Sequence, residues 1–236
     1  MEEQEEKKRL ISSLVVPTCI LVVMWTVMLT EKVFHIDLGG WGVTPHAAKG
    51  LVGILTMPFL HGNWEHLLSN SAPLAVLGTA LYYFYRQIAS KILFITYLST
   101  GILTWFIAEN GTHIGASALI YGLNFFLIFS GFIRRNLKLI ALSLIVIFLY
   151  GSFVWGLIPS LMIPQHISWE GHLSGALVGL ALAYYFRKQG PQREPETDDE
   201  EEEENDDDLD DNGKPYWDVP EPDRKDLTVV YRFKRR

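Results

Sequence analysis

Cysteine is almost absent from this 236-residue chain. Cys19 stands alone, which excludes a disulfide framework and a thiolate metal site. No His-Glu-x-x-His occurs, and the carboxylates that would complete a zinc site with His61 or His66 are missing, so neither a metal nor another cofactor is expected. No segment alternates apolar and polar residues in the manner of a membrane-barrel strand. The inverted repeats and paired broken helices of a secondary transporter are lacking as well. No Asp or Glu falls in the core of any apolar stretch, so a buried carboxylate is not available to assist a histidine.

What the chain has in quantity is apolar sequence. Hydrophobic residues make up 49% of it, and the mean hydropathy stays positive despite a heavily charged end. Six apolar stretches stand out: Leu10 to Thr30, Leu67 to Tyr85, Ile92 to Ala108, Ala116 to Ile133, Leu137 to Ile158, and the shorter His172 to Phe186. Each approaches the roughly 17 to 25 residues that carry a helix across a bilayer. A lone strand cannot satisfy its backbone in hydrocarbon, so the fold class expected is all-α, a polytopic bundle of six transmembrane helices embedded in a lipid bilayer.

Basic residues orient the bundle. Lys7, Lys8 and Arg9 precede the first stretch, Arg86 and Lys91 lie between the second and third, Arg134, Arg135 and Lys138 between the fourth and fifth, and Arg187, Lys188 and Arg193 follow the sixth. The other connections hold only Lys32 and Lys49. This alternation places both termini in the cytoplasm under the positive-inside rule, and a bacterial inner membrane is the expected location. The first stretch is about 21 residues long without a small-residue cleavage site, so it is expected to remain as a span. The organisation predicted is a cytoplasmic amino terminus over residues 1–9, a membrane domain over 10–188, and a tail over 189–236. From Asp198 to Asp211, twelve of fourteen residues are Asp or Glu, a self-repelling run expected to be disordered. Without those twelve the net charge of -7 becomes +5, so the rest of the chain is basic, as the cytoplasmic flanks require; no nucleic-acid partner is expected. The end of the tail reads first as a solvated segment whose basic terminus, Lys234-Arg235-Arg236, meets acidic lipid or the acidic run; a docking segment for a cytoplasmic partner is the alternative.

The polar residues inside the stretches carry the chemistry. His61-Gly62-Asn63-Trp64-Glu65-His66 opens the second stretch, and His66 and Asn70, four apart, share a helical face. Gly115-Ala116-Ser117 opens the fourth and Gly171-His172 the sixth. All three start on the non-cytoplasmic side, so His66, Asn70, Ser117 and His172 fall at one depth. His172, Gly175 and Gly179 share a stripe suited to close helix packing, and Tyr121 lies one turn after Ser117. A serine hydroxyl needs a base to become a nucleophile, and a neutral imidazole is the usual one. The constellation reads as a Ser117–His172 dyad, with His66 and Asn70 as oxyanion donors. Residue by residue, other readings stand: a serine that only packs, a histidine that relays protons, a structural His61, and solvated histidines at His113 and His166. For the whole chain, the alternatives are a non-proteolytic membrane adaptor and a small transporter.

Taken together, these residues make the chain resemble the rhomboid family of intramembrane serine proteases over residues 10–188. The resemblance implies a rhomboid-like six-helix bundle, Ser117 as nucleophile, His172 as general base, and His66 with Asn70 at the oxyanion. It also implies Tyr121 stacked on the base, Gly115, Gly175, Gly179 and His61 in support, and single-span membrane proteins as substrates. Two departures are visible. Ala118 follows Ser117 where the family has glycine, and Val52-Gly53 stands where a Trp-Arg pair is common. Access is expected to be gated by the loop from Pro159 to Glu170 and by movement of the fifth span.

Overall fold

A computed structural model describes residues 2–158 and 168–193. Residues 159–167 and 194–236 lie outside the described residues; they include most of the loop expected to gate access, His166, and the acidic tail. Among the described residues the protein is helical, and the one pair bonded in strand fashion is Val43 with His113. The helices are α1 (Glu2–Phe34), α2 (Gly53–Thr56), α3 (Trp64–Phe84), α4 (Ala89–Ile107), α5 (Ser117–Arg134), α6 (Leu137–Tyr150) and α7 (Trp169–Tyr185).

Each predicted stretch is helical, with two differences from the sequence reading. α1 continues into polar sequence at both ends, beyond the expected Leu10 to Thr30. The fifth stretch is not one regular helix, because α6 ends at Tyr150 and the chain tightens into a 3-10 segment, Gly151–Leu157. Four helical segments are long and apolar enough to cross a membrane: Glu3–Phe34, Ala89–Ile107, Ser117–Arg134 and Leu137–Leu157. α3 and α7 are not among them. α7 has 17 residues, and α3 is diluted by Glu65, His66, Ser69, Asn70 and Ser71.

α5 is the axis of the bundle. Two-thirds (67%) of its apolar window is buried, against 17% for α1. Leu119, Leu123, Phe126 and Leu127 of α5 pack with Leu67, Leu74, Leu77 and Leu81 of α3 and with Met24 and Met28 of α1. Pro17 of α1 forfeits one backbone donor, and its ring fills the space a side chain would occupy at Gly78 of α3. Outward faces carry Val22, Phe94, Phe106 and Phe148, an apolar exterior that suits lipid and would be an aggregation surface in water.

Between α1 and α3 the chain folds into a compact loop whose turns rest backbone on backbone. A side chain at Gly53 would collide with the peptide joining Gly42 to Val43, so a larger residue at this position is excluded by the loop's own packing. Val52 beside it is exposed. The Val52-Gly53 departure therefore belongs to a loop stabilised by close contact in place of a long side chain.

At the opposite end of α5, Arg134 is 6% exposed. Its Nε donates to Ser130 Oγ at 2.8 Å, one Nη to the carbonyls of Arg187, Gln189 and Pro191 at 3.3, 2.6 and 3.0 Å, and the other Nη to Phe186 O at 2.6 Å. The guanidinium thus neutralises the carbonyl end of α7, where a cation is favoured by the helix dipole. Asn136 adds a bond from Nδ2 to Gln192 O at 2.7 Å. Replacing Arg134 with Met should destabilise the fold by about 3 kcal/mol, since the buried Phe186 carbonyl and the part-buried carbonyls of Arg187, Gln189 and Pro191 lose a charged donor. Arg134→Lys should fall between the two. Thermal unfolding in detergent, followed by circular dichroism, measures the difference.

Candidate active site

The site forms where the first turns of α3, α5 and α7 meet. The α5–α7 contact is the most extensive in the bundle, and glycine makes it so. A Cβ at Gly175 would strike Ala118 O and stand 2.7 Å from Tyr121 Cβ; one at Gly179 would strike Gly122 O and stand 2.9 Å from Phe126 N. The two backbones touch, as in small-residue packing of membrane helices. Ala118 is 2% exposed, and its methyl lies against Gly171 of α7, where a built Cβ would stand 3.9 Å away, an ordinary packing distance. The extra methyl is accommodated in the α5–α7 contact at ordinary packing distance.

This contact sets His172 against Tyr121. Their rings stack with centroids 4.1 Å apart and planes 6° from parallel, and Phe153 covers the other face of Tyr121 at 5.1 Å. His172 is 8% exposed, and its Nδ1 lies 3.0 Å from Gly156 O. A carbonyl only accepts, so Nδ1 carries the proton and Nε2 is the basic nitrogen. Tyr121 Oη donates to Phe153 O at 2.9 Å. Both carbonyls belong to the 3-10 segment after α6, where the regular i to i+4 pattern has ended and acceptors are open to side chains. A Cβ at Gly156 would collide with Tyr121 Oη. Phe153 and Gly156 were not anticipated; their signal is the pair Gly151 and Gly156 interrupting the fifth apolar stretch.

Ser117 is the first residue of α5 and half-buried, and its Oγ makes no hydrogen bond among the described residues. Asn63, Asn136 and Ser168 cap α3, α6 and α7 with their side chains, whereas Ala116 leaves α5 uncapped. The first-turn N–H groups of α5 thus meet no capping side chain. Gly115 turns the chain into α5 with φ +107, a conformation that favours glycine. Its missing side chain has a second use: a Cβ would lie 2.6 Å from His66 Nε2 and 3.4 Å from Asn70 Nδ2. His66 and Asn70 therefore lie directly against the turn that leads to Ser117. Asn70 is 5% exposed, and its Nδ2 has no hydrogen-bond partner among the described residues. A buried, unpaired donor is uncommon enough to call for a functional account.

His61 supports this wall from behind. Its ring meets His66 edge to face at 4.9 Å, and neither of its nitrogens has a hydrogen-bond partner among the described residues. Burial first, and the neighbouring His66 second, hold its pKa down to about 4. No cluster of three or more His, Cys, Asp or Glu among the described residues has the spacing to hold a metal ion.

His113 departs from the solvated role expected of it. It is buried, and its Nδ1 lies 2.6 Å from Ser168 Oγ. Ser168 in turn caps α7 by accepting the Gly171 N–H at 2.9 Å. The cap is legible in Ser168-Trp169-Glu170; its histidine partner, 55 residues away, is not.

The sequence matches the Rhomboid domain family over residues 48–189. It is 35% identical over 186 residues to an uncharacterized protein of Mycobacterium tuberculosis, covering 74% of each chain. An uncharacterized protein of Mycobacterium leprae is 34% identical over 194 residues, covering 75% of this chain and 74% of its own. Rhomboid-like protein 11, chloroplastic, of Arabidopsis thaliana is 30% identical over 157 residues, covering 57% of this chain and 52% of its own.

The electrostatics of His61 set a pH dependence. Its folded pKa of about 4 lies below the ordinary value of 6.5, so between these values the unfolded chain binds the extra proton. The stability this provides is present above about pH 6.5 and is lost as the pH falls toward 4, by up to ~3 kcal/mol. Unfolding midpoints in detergent at pH 7.5 and 4.5 should diverge more for the native chain than for His61→Phe.

Proposed function

The chain belongs to the rhomboid family, and on that premise we propose that it is a serine endopeptidase that cuts the spans of other membrane proteins, with Ser117 as nucleophile and His172 as general base. The observation that carries this reading is the setting of His172. Its ring is held between the Tyr121 face and the Gly156 carbonyl, in the one tautomer that leaves Nε2 able to take a proton.

The steps follow from the residues present. Ser117 Oγ attacks the scissile carbonyl as His172 Nε2 accepts its proton. The oxyanion draws on the uncapped N–H groups at the start of α5 and on the donors of His66 and Asn70, an environment low in competing water. The imidazolium then protonates the leaving amine, a water deprotonated by His172 attacks the acyl group, and the serine is released. The role an acidic residue has in a triad, fixing tautomer and orientation, falls here to the Gly156 carbonyl and the Tyr121 ring. Gly175 and Gly179 serve by bringing α7 onto α5.

The topology that goes with this reading has six spans, α3 and α7 among them, with both termini cytoplasmic and the site near the opposite face of a bacterial inner membrane. The substrate is a single-span protein that unwinds at its non-cytoplasmic end, since hydrolysis needs an extended peptide; glycine or proline near the cut would ease that step.

Cleavage of a fluorescent single-span reporter by the purified chain in detergent tests the assignment. Ser117→Ala and His172→Ala should each lower kcat by at least ~10³-fold with the fold intact, and together no more than either alone, because the two act as a unit. Asn70→Ala should lower kcat by on the order of 10²-fold with little change in KM, as expected for a donor used in the transition state. Full cleavage by Ser117→Ala would refute the mechanism.

A further inference from the structure

The amino end of α7 is tied to the rest of the protein through a short relay of contacts. Val43, in the loop after α1, and His113, in the loop before α5, exchange two backbone hydrogen bonds. Val43 N donates to His113 O at 2.9 Å and His113 N donates to Val43 O at 2.8 Å. Val43 is fully buried and packs with Met57 and Ala118, so the bridge is anchored to the start of α5. From it the His113 ring reaches Ser168 Oγ at 2.6 Å. Ser168 holds the first turn of α7 twice: its hydroxyl accepts from Gly171 N at 2.9 Å and its carbonyl accepts from His172 N at 3.3 Å.

The Ser168 hydroxyl can cap the helix and bond the ring in either direction. The Ser168 oxygen already accepts the Gly171 N–H, so its own proton is available to the His113 ring. A neutral imidazole accepts that proton at Nδ1 in one tautomer, and in the other Nδ1–H donates to the second lone pair of Oγ; in both, His113 Nε2 is buried without a hydrogen-bond partner among the described residues. Burial holds His113 below the ordinary histidine range, against the opposing pull of Glu170, which keeps the ring neutral near neutral pH. The hydroxyl can therefore cap the helix and bond the ring at once, and both bonds fix its rotamer.

We propose that His113 is a positioning residue for the general base: by fixing the Ser168 hydroxyl it sets the first turn of α7, and with it the placement of His172 relative to the turn that begins α5. The proposal rests on the reading of His172 as the base. It explains why a histidine directly before Ile114-Gly115-Ala116-Ser117 is buried without touching the reacting groups. The loop that delivers Ser117 and the helix that delivers His172 are joined through one side chain, so the two halves of the dyad share a reference point. Misplacement of a reacting group by about 1 Å can cost on the order of 10²-fold in rate, which gives such a contact kinetic weight.

The test uses the full chain in detergent with the single-span reporter. His113→Phe fills the space without the hydrogen bond, and His113→Asn puts an amide at the position of Nδ1. His113→Phe should lower kcat by about 10- to 100-fold with KM within about twofold, and His113→Asn should restore most of the loss. Ser168→Ala removes the same bond from the other side; combined with His113→Phe, it should add little to either single loss. Amide exchange at Gly171 should be faster in His113→Phe by about tenfold or more. Unchanged exchange at Gly171, kcat within about twofold of native in a folded His113→Phe, or failure of His113→Asn to rescue would each overturn the proposal. Should Ser117→Ala cleave like the native chain, the protease mechanism fails by itself, and the exchange measurement still decides whether His113 sets the start of α7.

Discussion

The backbone contact between α5 and α7 is the constraint on which the site depends. Inside a membrane there is little hydrophobic gain in bringing two helices together, so the association must come from close packing and from polar contacts. Gly175 and Gly179 allow the closest packing a pair of helices can reach, carbonyl against Cα. Because both glycines lie on the stripe of His172, the same contact that joins the helices also sets the imidazole over Tyr121. Stability and placement of the imidazole are one interaction.

Around this contact the structure gives up regularity and leaves polar groups without intrahelical partners. α6 stops short, and the 3-10 segment that follows offers the carbonyls of Phe153 and Gly156 to Tyr121 and His172. α5 starts without a side-chain cap, and Asn70 keeps a buried donor unpaired beside Gly115. α3 and α7 are the two long helices below the apolarity or length of a plain span, and they are the ones that carry His66, Asn70 and His172. Each departure would weaken an ordinary bundle, and each lies within reach of the same small volume.

The fold balances these losses at both ends of α7. At its start stand Ser168 and His113; at its finish, Arg134 collects carbonyls from Phe186 to Pro191. One anchor lies in the loop before α5 and the other is its last residue, so the central helix and its partner are joined at each end and along their length. α1, α4 and α6 present broad apolar faces outward, where the only demand is compatibility with lipid.

The helices were legible in the sequence because a bilayer imposes a single rule on every span: about twenty apolar residues with all backbone groups bonded internally. The group of His66, Asn70, Ser117, Tyr121 and His172 was legible too, since polar side chains are conspicuous in apolar sequence. What the sequence by itself determined is which residues stand near the start of which helix, and which glycines permit close approach. The break of α6, the Gly156 carbonyl under His172, the wall that His66 and Asn70 form against Gly115, and the reach of His113 to Ser168 were decided by tertiary structure alone. Each depends on a distance between segments far apart in the chain, and local periodicity holds no record of such distances.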